Sequence, residues 1–174
     1  MEQLQEIVRD AAKRPEVRDA VARVYAAVLK EIDARRPLCS VSGRCCRFEE
    51  YGHRLYVTTI ELAAFTYDLE TQPPVSPIEN SALSQSTVPL LKVRQLPQVL
   101  NPGGCPFQTG KLCGVHPIRP FGCRMFFCDP TATEWQNQAY ERFHAELQTL
   151  HEQLKVPYFY VEWRSALAAL ELTR

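Results

Sequence analysis

The sequence lacks several features that would assign it to a broad functional class. Its 174 residues carry 20 Lys plus Arg and 20 Asp plus Glu, so there is no excess of either charge. Without a basic excess, we expect no nucleic acid partner and no attraction to an anionic membrane. No apolar run approaches the roughly 18 residues that a membrane span requires. We therefore expect a soluble protein that uses neither partner.

A secretory leader is also missing from the sequence. Glu2, Glu6 and Asp10 occupy a stretch that would be basic and then apolar in a signal peptide. This predicts a cytoplasmic location, where structural disulfides are rare. The chain has seven cysteines, an odd number that a fully paired disulfide framework cannot contain. A small disulfide-rich secreted protein is therefore not expected.

Common catalytic and metal-binding signatures are absent as well. There is no C-x2-C pair, which argues against a common zinc finger. There is also no C-x3-C-x2-C triplet, G-x-G-x-x-G fingerprint or P-loop. No histidine is joined to a cysteine by a recognisable local signature, so no general base for thiol catalysis can be named. The sequence thus favours a binding protein over an enzyme and assigns no catalytic residue.

Helical periodicity is present at both ends of the chain. Apolar residues recur at three- and four-residue spacing over residues 1–36, and Pro15 stands where a second helix would begin. We expect these helices to form an antiparallel pair that covers a core or builds a homodimer face. The helical period returns from Thr131 and ends at Pro157, before an extended piece over 158–161 and a last helix.

The middle of the chain has a different character. Residues 37–130 hold every cysteine and eleven of the 13 prolines, which predicts loops and short strands. Residues 53–57 are expected to form a strand. Thr58 to Glu61 resembles a capping box that opens a helix through about Leu69. The segment 72–86, rich in Pro and Ser, is expected to be a surface loop.

These patterns together predict an α+β fold in one domain covering residues 1–174. Its parts would be N-terminal helices over 1–36, a loop-rich metal-binding core over 37–130 and C-terminal helices over 131–174. The length allows the chain to bury a core of its own, so a metal is not needed merely because of size.

The cysteines fall into two groups separated by almost sixty residues. They are Cys39, Cys45 and Cys46, then Cys105, Cys113, Cys123 and Cys128. Iron–sulfur clusters take thiolates from irregular loops, often with a proline after a ligand, as in Cys105-Pro106. All seven are therefore predicted ligands of an iron–sulfur cluster, most readily a 4Fe–4S cluster, or of Zn²⁺. Adjacent cysteines of an extended segment point apart, so one of Cys45 and Cys46 would bind while the other packs or serves a neighbouring ion.

Other residues near the cysteines suggest a surrounding shell. The predicted apolar shell consists of Phe107, Phe121, Phe126 and Phe127. Backbone amides near Gly104, Gly114 and Gly122 would donate hydrogen bonds to sulfur. Four arginines either offset thiolate charge or pair with Glu49, Glu50 and Asp129, namely Arg44, Arg47, Arg119 and Arg124. His144 and His151 are expected on the solvated or boundary face of the last long helix.

The cysteine segments resemble a known family. Residues 39–48 read CSVSGRCCRF, residues 104–107 read GCPF, and residues 113–124 read CGVHPIRPFGCR. Over residues 39–130 this order is similar to that of the YkgJ-type cysteine-cluster proteins, which are described as zinc- or iron-chelating domains with a C-x2-C-x2-C-C signature. The resemblance implies metal binding by the cysteines. It does not make His116 a ligand, because the family pattern accepts Tyr at that position.

The chain departs from this signature at one position. Ser42 stands where the second cysteine of the signature would be, which removes a thiolate from the first group. We hypothesise that Cys128 supplies the missing thiolate. If so, Cys128→Ser should lose metal as severely as Cys123→Ser.

The sequence leaves the use of the metal open. Electron transfer, redox or iron sensing, and assembly of another protein are all compatible with it. One alternative is a cluster-dependent transferase or oxidoreductase, because the motif also resembles part of the bacterial flagellin lysine methylases; binding of S-adenosylmethionine would distinguish this case. A second alternative is a metal-free thiol-redox protein that uses Cys45 and Cys46.

Overall fold

The structure is a computed structural model that describes residues 2–71 and 103–172. It confirms an α+β fold with long helices and short strands. The helices are α1 (Glu2–Lys13), α2 (Pro15–Arg35), α3 (Thr59–Thr71), α4 (Phe121–Arg124), α5 (Thr133–Leu154) and α6 (Trp163–Ala169). The strands are β1 (Tyr56–Thr58), β2 (Gln108–Thr109), β3 (Leu112–Cys113) and β4 (Tyr160–Glu162). No helix in the described ranges has the length and hydropathy to cross a bilayer.

The two N-terminal helices form as predicted, with Pro15 as the first residue of α2. Proline suits this position because its missing N–H would have no partner in the first helical turn. The two helices contact each other, but this contact is not the main one that either helix makes. α1 packs chiefly against α3, and α2 packs against α3 and α5 more than against α1. The apolar stripes of both helices thus cover α3, the helix that was predicted within the central region.

β1 and α3 follow one another directly and share a capping arrangement. The backbone N–H and the hydroxyl of Thr58 both donate to Glu61 Oε2, each at 2.9 Å. This confirms that Thr58 and Glu61 act together at the start of the helix. The strand is shorter than the predicted 53–57 because β1 pairs with β4 only from Tyr56↔Glu162 to Thr58↔Tyr160. The predicted loop over 72–86 lies outside the described residues.

The C-terminal helix α5 ends at Leu154, before Pro157. Lys155 caps it in the left-handed conformation, with φ of 53°. The chain then folds back, and the Val156 carbonyl lies 3.0 Å from Nδ1 of His151. The prediction that His151 lies on a solvated or boundary face is therefore wrong, since only 3% of it is exposed. His144 is half-buried and contacts the Tyr158 hydroxyl at 3.1 Å.

Two hydrophobic cores lie on either side of α3. The helical core joins α2, α3 and α5 and includes Val21, Ile60, Phe143 and Leu147. The cysteine-side core joins α1, α3 and α6 to the loops, and its buried members include Phe48, Phe65, Trp163, Cys46 and Cys105. Residues 59–65 of α3 are all buried, as expected for a helix with apolar contacts all round. The helix α3 is therefore the element that holds the cysteine-bearing loops against the helical scaffold.

Candidate metal centre

A tight turn presents the first pair of cysteines. Residues Arg44–Cys46 form one turn of 3-10 helix, closed by a hydrogen bond from the Cys46 N–H to the Gly43 carbonyl at 3.1 Å. Gly43 has φ of 74°, and a Cβ there would lie 2.7 Å from Nε2 of Gln108. Only glycine fits this left-handed, crowded position without a shift. The sulfurs of Cys45 and Cys46 lie 4.0 Å apart, so the prediction that they point apart is wrong because the segment is a turn and not a strand.

Backbone hydrogen bonds join this turn to the second cysteine segment. The Cys105 N–H donates to the Cys46 carbonyl at 2.7 Å, and the Glu49 N–H donates to the Gly103 carbonyl at 3.3 Å. The antiparallel pair β2–β3 then places Cys113 opposite Gln108. The Gln108 side chain donates to the Gly43 carbonyl at 3.2 Å, which holds this pair of strands against the turn. Cysteines almost sixty residues apart in the sequence are thereby brought together.

Four thiols meet at this junction, and we call Cys45, Cys46, Cys105 and Cys113 the thiol cluster. The sulfurs of Cys45 and Cys46 lie 4.0 Å apart, and hydrogen bonding of Cys46 with the other three thiols shifts the pKa of all four. Cys46 and Cys105 are buried in the cysteine-side core, and the other two are partly buried against it. Cys123, on α4, packs against the same core. Burial raises the pKa of Cys123, and the charges of Cys105, Cys113 and Cys45 raise it further. All seven cysteines of the chain are free thiols.

The two remaining cysteines occupy different positions. The Cys128 sulfur lies 3.4 Å from the Ser42 hydroxyl, so it is beside the residue that departs from the expected signature. Cys39 is exposed. Within residues 2–71 and 103–172, no three Cys, His, Asp or Glu side chains are arranged as a ready ligand set for a metal ion. The thiols are gathered, but they do not surround a common centre.

Contacts among the thiols divide them into one protonated group and three groups that ionise easily. Hydrogen bonds to its three neighbours, with burial added, raise the pKa of Cys46 far above its usual range. The hydrogen bond from Cys46 is the main cause that lowers the pKa of Cys45 to about 6 and that of Cys113 to about 7. It also lowers the pKa of Cys105. Cys46 therefore keeps its proton, and a thiolate forms more easily beside it, near neutral pH at Cys45 or Cys113.

Amides and one arginine add to this effect. Hydrogen bonding with the Phe107 backbone contributes to the lowered pKa of Cys105, and hydrogen bonding with the Val115 backbone contributes to that of Cys113. The Gly114 N–H itself donates to the Phe107 carbonyl at 2.8 Å, so near Gly114 it is the Val115 amide that lowers the pKa of Cys113. The charge of Arg119 lowers the pKa of both Cys45 and Cys113. Positive charge and amide dipoles thus stabilise thiolates at the junction.

Only one of the four predicted arginines faces the thiol cluster. Arg47 instead pairs with Glu50 at 3.3 Å. The predicted alternative, pairing with a nearby carboxylate, is thus confirmed for Arg47 alone among the four. The guanidinium of Arg44 lies over the ring of Tyr51. Arg124 is buried over the ring of Tyr25, and its Nη2 donates to the Pro117 carbonyl at 2.7 Å. Glu49 pairs with Arg164, and Asp129 accepts from the Leu38 and Thr131 amides.

The apolar shell is also built differently from the prediction. Of the four phenylalanines only Phe107 packs in the cysteine-side core, whereas Phe121 belongs to the helical core. Phe126 stacks on His53 and Phe127 lies beside Trp135. The rings that enclose the cysteines with Phe107 are Phe48, Phe65 and Trp163. Phe48 could have been inferred from its place two residues after Cys46, but no sequence signal links Phe65 or Trp163 to the cysteines.

Comparison with known proteins gives no further assignment. No family model, no curated protein and no solved structure matches this chain. The resemblance to the YkgJ-type cysteine-cluster proteins therefore remains a prediction, based on the three motifs quoted above. The functional argument depends on the thiol cluster itself.

Proposed function

We propose that this protein binds metal through the thiol cluster, as an iron–sulfur cluster or as Zn²⁺, and that residues 37–130 form its metal-binding core. The observation that carries the proposal is the meeting of four free thiols from three loop segments. Cysteines that serve only as small apolar residues need neither mutual contact nor nearby positive charge. Here both are present, and three of the four thiols ionise more easily than usual.

The chemistry of the donor set fits a thiolate-bound metal. The thiolate is the form of cysteine that binds metal, and Cys45 and Cys113 reach that form near neutral pH. Several thiolates in a half-buried place repel one another, and a single arginine does not balance them. A bound cation would supply the missing positive charge. Zn²⁺ and iron–sulfur clusters are the centres that prefer such sulfur ligands.

Metal binding would change the protonation of Cys46. Its one thiol hydrogen can be donated to only one neighbour at a time, although hydrogen bonding with three thiols contributes to its raised pKa. We propose that loading removes this proton, so that the Cys46 sulfur also becomes a ligand. Metal uptake should then release protons and weaken as the pH falls.

Cys123 is the natural fifth candidate and Cys128 follows it, whereas the predicted ligand Cys39 is exposed and is not included in the proposed set. Cys123 is close enough to the thiol cluster for charges on Cys45, Cys105 and Cys113 to raise its pKa, after the larger effect of burial. A cluster would supply one-electron chemistry and Zn²⁺ a structural link between loops. The proposal keeps the cytoplasmic location, since free thiols persist in reducing compartments. The protein partner and a homodimer through the helices remain predictions.

The decisive experiment is elemental analysis of protein purified without oxygen. Iron with acid-labile sulfide and a broad visible absorption would identify an iron–sulfur protein. Stoichiometric zinc in a colourless protein would identify a zinc protein. A well-folded protein that neither contains nor takes up iron or zinc would contradict the proposal and leave the metal-free thiol pair, Cys45 and Cys46, as the alternative.

Matched serine variants test which thiols take part. Cys105→Ser and Cys113→Ser should each reduce the metal content strongly, because both sulfurs belong to the thiol cluster. Cys39→Ser is the control in the same loop region, since its exposed side chain makes no hydrogen bond to the thiol cluster within the described part of the chain. Equal loss in all three variants would point to general loop disruption instead of ligation.

A further inference from the structure

A groove of about 550 Å³ lies between α2 and α3, and none of the seven cysteines lines it. Its wall on α2 consists of Ala22, Ala26 and Leu29, which follow one another at helical spacing and are all exposed. These side chains are small or apolar, so the wall offers apolar surface without blocking the recess. A groove of this size suits a small organic ligand.

Charged groups of both signs also line this groove. Arg18 and Asp19 come from α2, Asp68 from α3 and Arg124 from α4. The guanidinium of Arg18 lies over the Tyr67 ring, 3.8 Å from its centre, and Asp19 is exposed. None of the four forms an ion pair within residues 2–71 and 103–172. The groove thus holds two positive and two negative groups that leave one another unpaired.

Arg124 is the most deeply buried of these groups, with only 6% of it exposed. Its Nη2 donates to the Pro117 carbonyl at 2.7 Å, and its guanidinium carbon lies 4.2 Å from the centre of the Tyr25 ring. Its Nε is buried and has no acceptor within the described part of the chain. Arginine is almost never buried unless it is paired, because the loss of hydration is otherwise uncompensated. Arg124 therefore calls for an anion that the described residues do not supply.

Asp68 stands near Arg124 and makes the opposite demand. It is half-buried, and burial raises its pKa while the charges of Arg124 and Arg18 oppose that rise. The groups are close enough to interact, yet they do not meet in an ion pair. A simple anion bound to Arg124 would leave Asp68 unpaired and would be repelled by it. A ligand that carries a carboxylate and an ammonium group would pair with both.

We propose that this groove binds an apolar α-amino acid, with its carboxylate towards Arg124, its ammonium group towards Asp68 and its side chain along Ala22, Ala26 and Leu29. The ligand has no net charge, which matches a groove whose four charged groups sum to zero. Its side chain would cover the apolar wall and remove it from water. The site goes beyond the proposed function and does not depend on metal binding.

Titration of the ¹⁵N-labelled full chain with L-leucine near neutral pH tests the proposal. Saturable shift changes are expected at amides of residues 18–29, 64–68 and 117–124, which border the groove. Leucinamide lacks the carboxylate and N-acetylleucine lacks the ammonium group, so each should bind about tenfold more weakly than leucine. Glycine should also bind more weakly, because it has no side chain to cover the apolar wall.

Two matched pairs of variants test the position of the ligand. Asp68→Asn should weaken leucine binding about tenfold, whereas Glu70→Gln, on the same helix but outside this groove, should leave it unchanged. Ala26→Leu should fill the groove and weaken binding as well. Ala34→Leu, at another exposed position of α2, is its control. None of these four residues is buried, so all four proteins should fold.

Each outcome decides for or against the site. Saturable leucine binding at the groove, with the expected order of analogues and variants, would support it in protein with or without metal. Equal binding of leucine and N-acetylleucine would show that the groove takes an anion and not a zwitterion, which would overturn the proposal. No saturable shifts at millimolar leucine, or undiminished binding by Asp68→Asn, would overturn it too.

Discussion

Single residues in the thiol cluster depend on their neighbours for their chemistry. Cys45 is adjacent to Cys46 in sequence, yet one is expected to ionise near pH 6 and the other to keep its proton. The difference arises because the hydrogen bond with Cys46 lowers the pKa of Cys45, with a smaller effect of Arg119, whereas hydrogen bonding with three thiols raises the pKa of Cys46. Identical side chains therefore take opposite roles within one turn.

The reactivity of Cys45 tests this division. In metal-free protein, its alkylation rate should fall only about tenfold between pH 7 and pH 5, because its pKa is about 6 and the thiolate is the nucleophile. A small thiol with an ordinary pKa, run alongside, should lose about a hundredfold over the same range. Mass spectrometry of the modified peptide gives the rate. A hundredfold fall at Cys45 would show that its pKa is not lowered.

The proximity of Ser42 and Cys128 tests the hypothesis of a relocated thiolate. If Cys128 replaces the missing ligand, Cys128→Ser should lose metal as severely as Cys123→Ser. Because the two side chains are 3.4 Å apart, adding Ser42→Cys to Cys128→Ser should restore binding. Metal content per protein is the measurement. Full metal retention by Cys128→Ser would end the hypothesis, and Ser42→Ala serves as a control that should leave binding unchanged.

At the scale of elements, a buried carboxyl group at the start of α3 accepts hydrogen bonds from three other elements. Glu61 accepts from both donors of Thr58 on β1, from the Phe121 N–H at the start of α4 at 2.9 Å, and from the Tyr25 hydroxyl at 3.2 Å. Since α4 carries Cys123, one buried carboxyl group links α2, α3 and a cysteine-bearing turn. Burial raises the pKa of Glu61 more than these donors lower it.

Glu61→Gln should therefore destabilise the fold. One of the two backbone N–H groups would face an amide NH₂ in place of an oxygen, at a cost of about 1–3 kcal/mol in the free energy of unfolding. Urea denaturation measures this loss. Glu70→Gln, at the exposed end of the same helix, should stay within about 0.5 kcal/mol of the parent protein. Equal effects of the two changes would contradict the role assigned to Glu61.

The same pair of proteins gives a pH dependence with a fixed sign. A carboxyl group whose pKa is raised by folding contributes stability below its ordinary pKa and loses that contribution as the pH rises through the raised value. The advantage of the parent over Glu61→Gln should thus be largest near pH 4.5 and smaller at pH 8. An advantage that grows with pH would show that Glu61 is ionised in the fold at a lower pH than expected.

The whole molecule is divided into two cores with different dependence on the cysteines. The helical core contains no cysteine, whereas the cysteine-side core contains Cys46 and Cys105 and packs against Cys45, Cys113 and Cys123. The loops at the thiol cluster are joined by a small number of backbone hydrogen bonds, whereas the helical core is closed by side chains from three long helices. If the protein binds metal as proposed, loss of the metal should destabilise the cysteine-side core and leave the helical core unchanged.

Chelation tests this partition. Removal of metal should lower the melting temperature and raise hydrogen exchange in residues 43–48 and 103–115, since these loops carry the thiol cluster. Exchange in α2 and α5 should change little. Mass spectrometry of the exchanged peptides, with Cys39→Ser as a control that loads metal normally, provides the readout. An equal increase in hydrogen exchange in the loops and in α2 and α5 would show that the helical core is not independent of the metal.

Much of the local structure could be read from the sequence because it depends on neighbouring residues. Pro15 and the apolar stripes predicted the two N-terminal helices, and Thr58 and Glu61 predicted the start of α3. These elements together predicted the α+β class. The turn at Cys45 and Cys46 was missed because its left-handed residue, Gly43, is fixed by the approach of Gln108 from a distant segment. His151 was misplaced because the chain after α5 folds back over it.

By itself, then, the sequence determined the helices, the class of fold and the presence of two cysteine groups, since periodicity, capping and spacing are local properties. Only the tertiary structure decided which cysteines share one core, and that Phe65 and Trp163 belong to that core. These relations join residues up to about 120 positions apart through packing and hydrogen bonds, and no local pattern records which distant segments a core brings together.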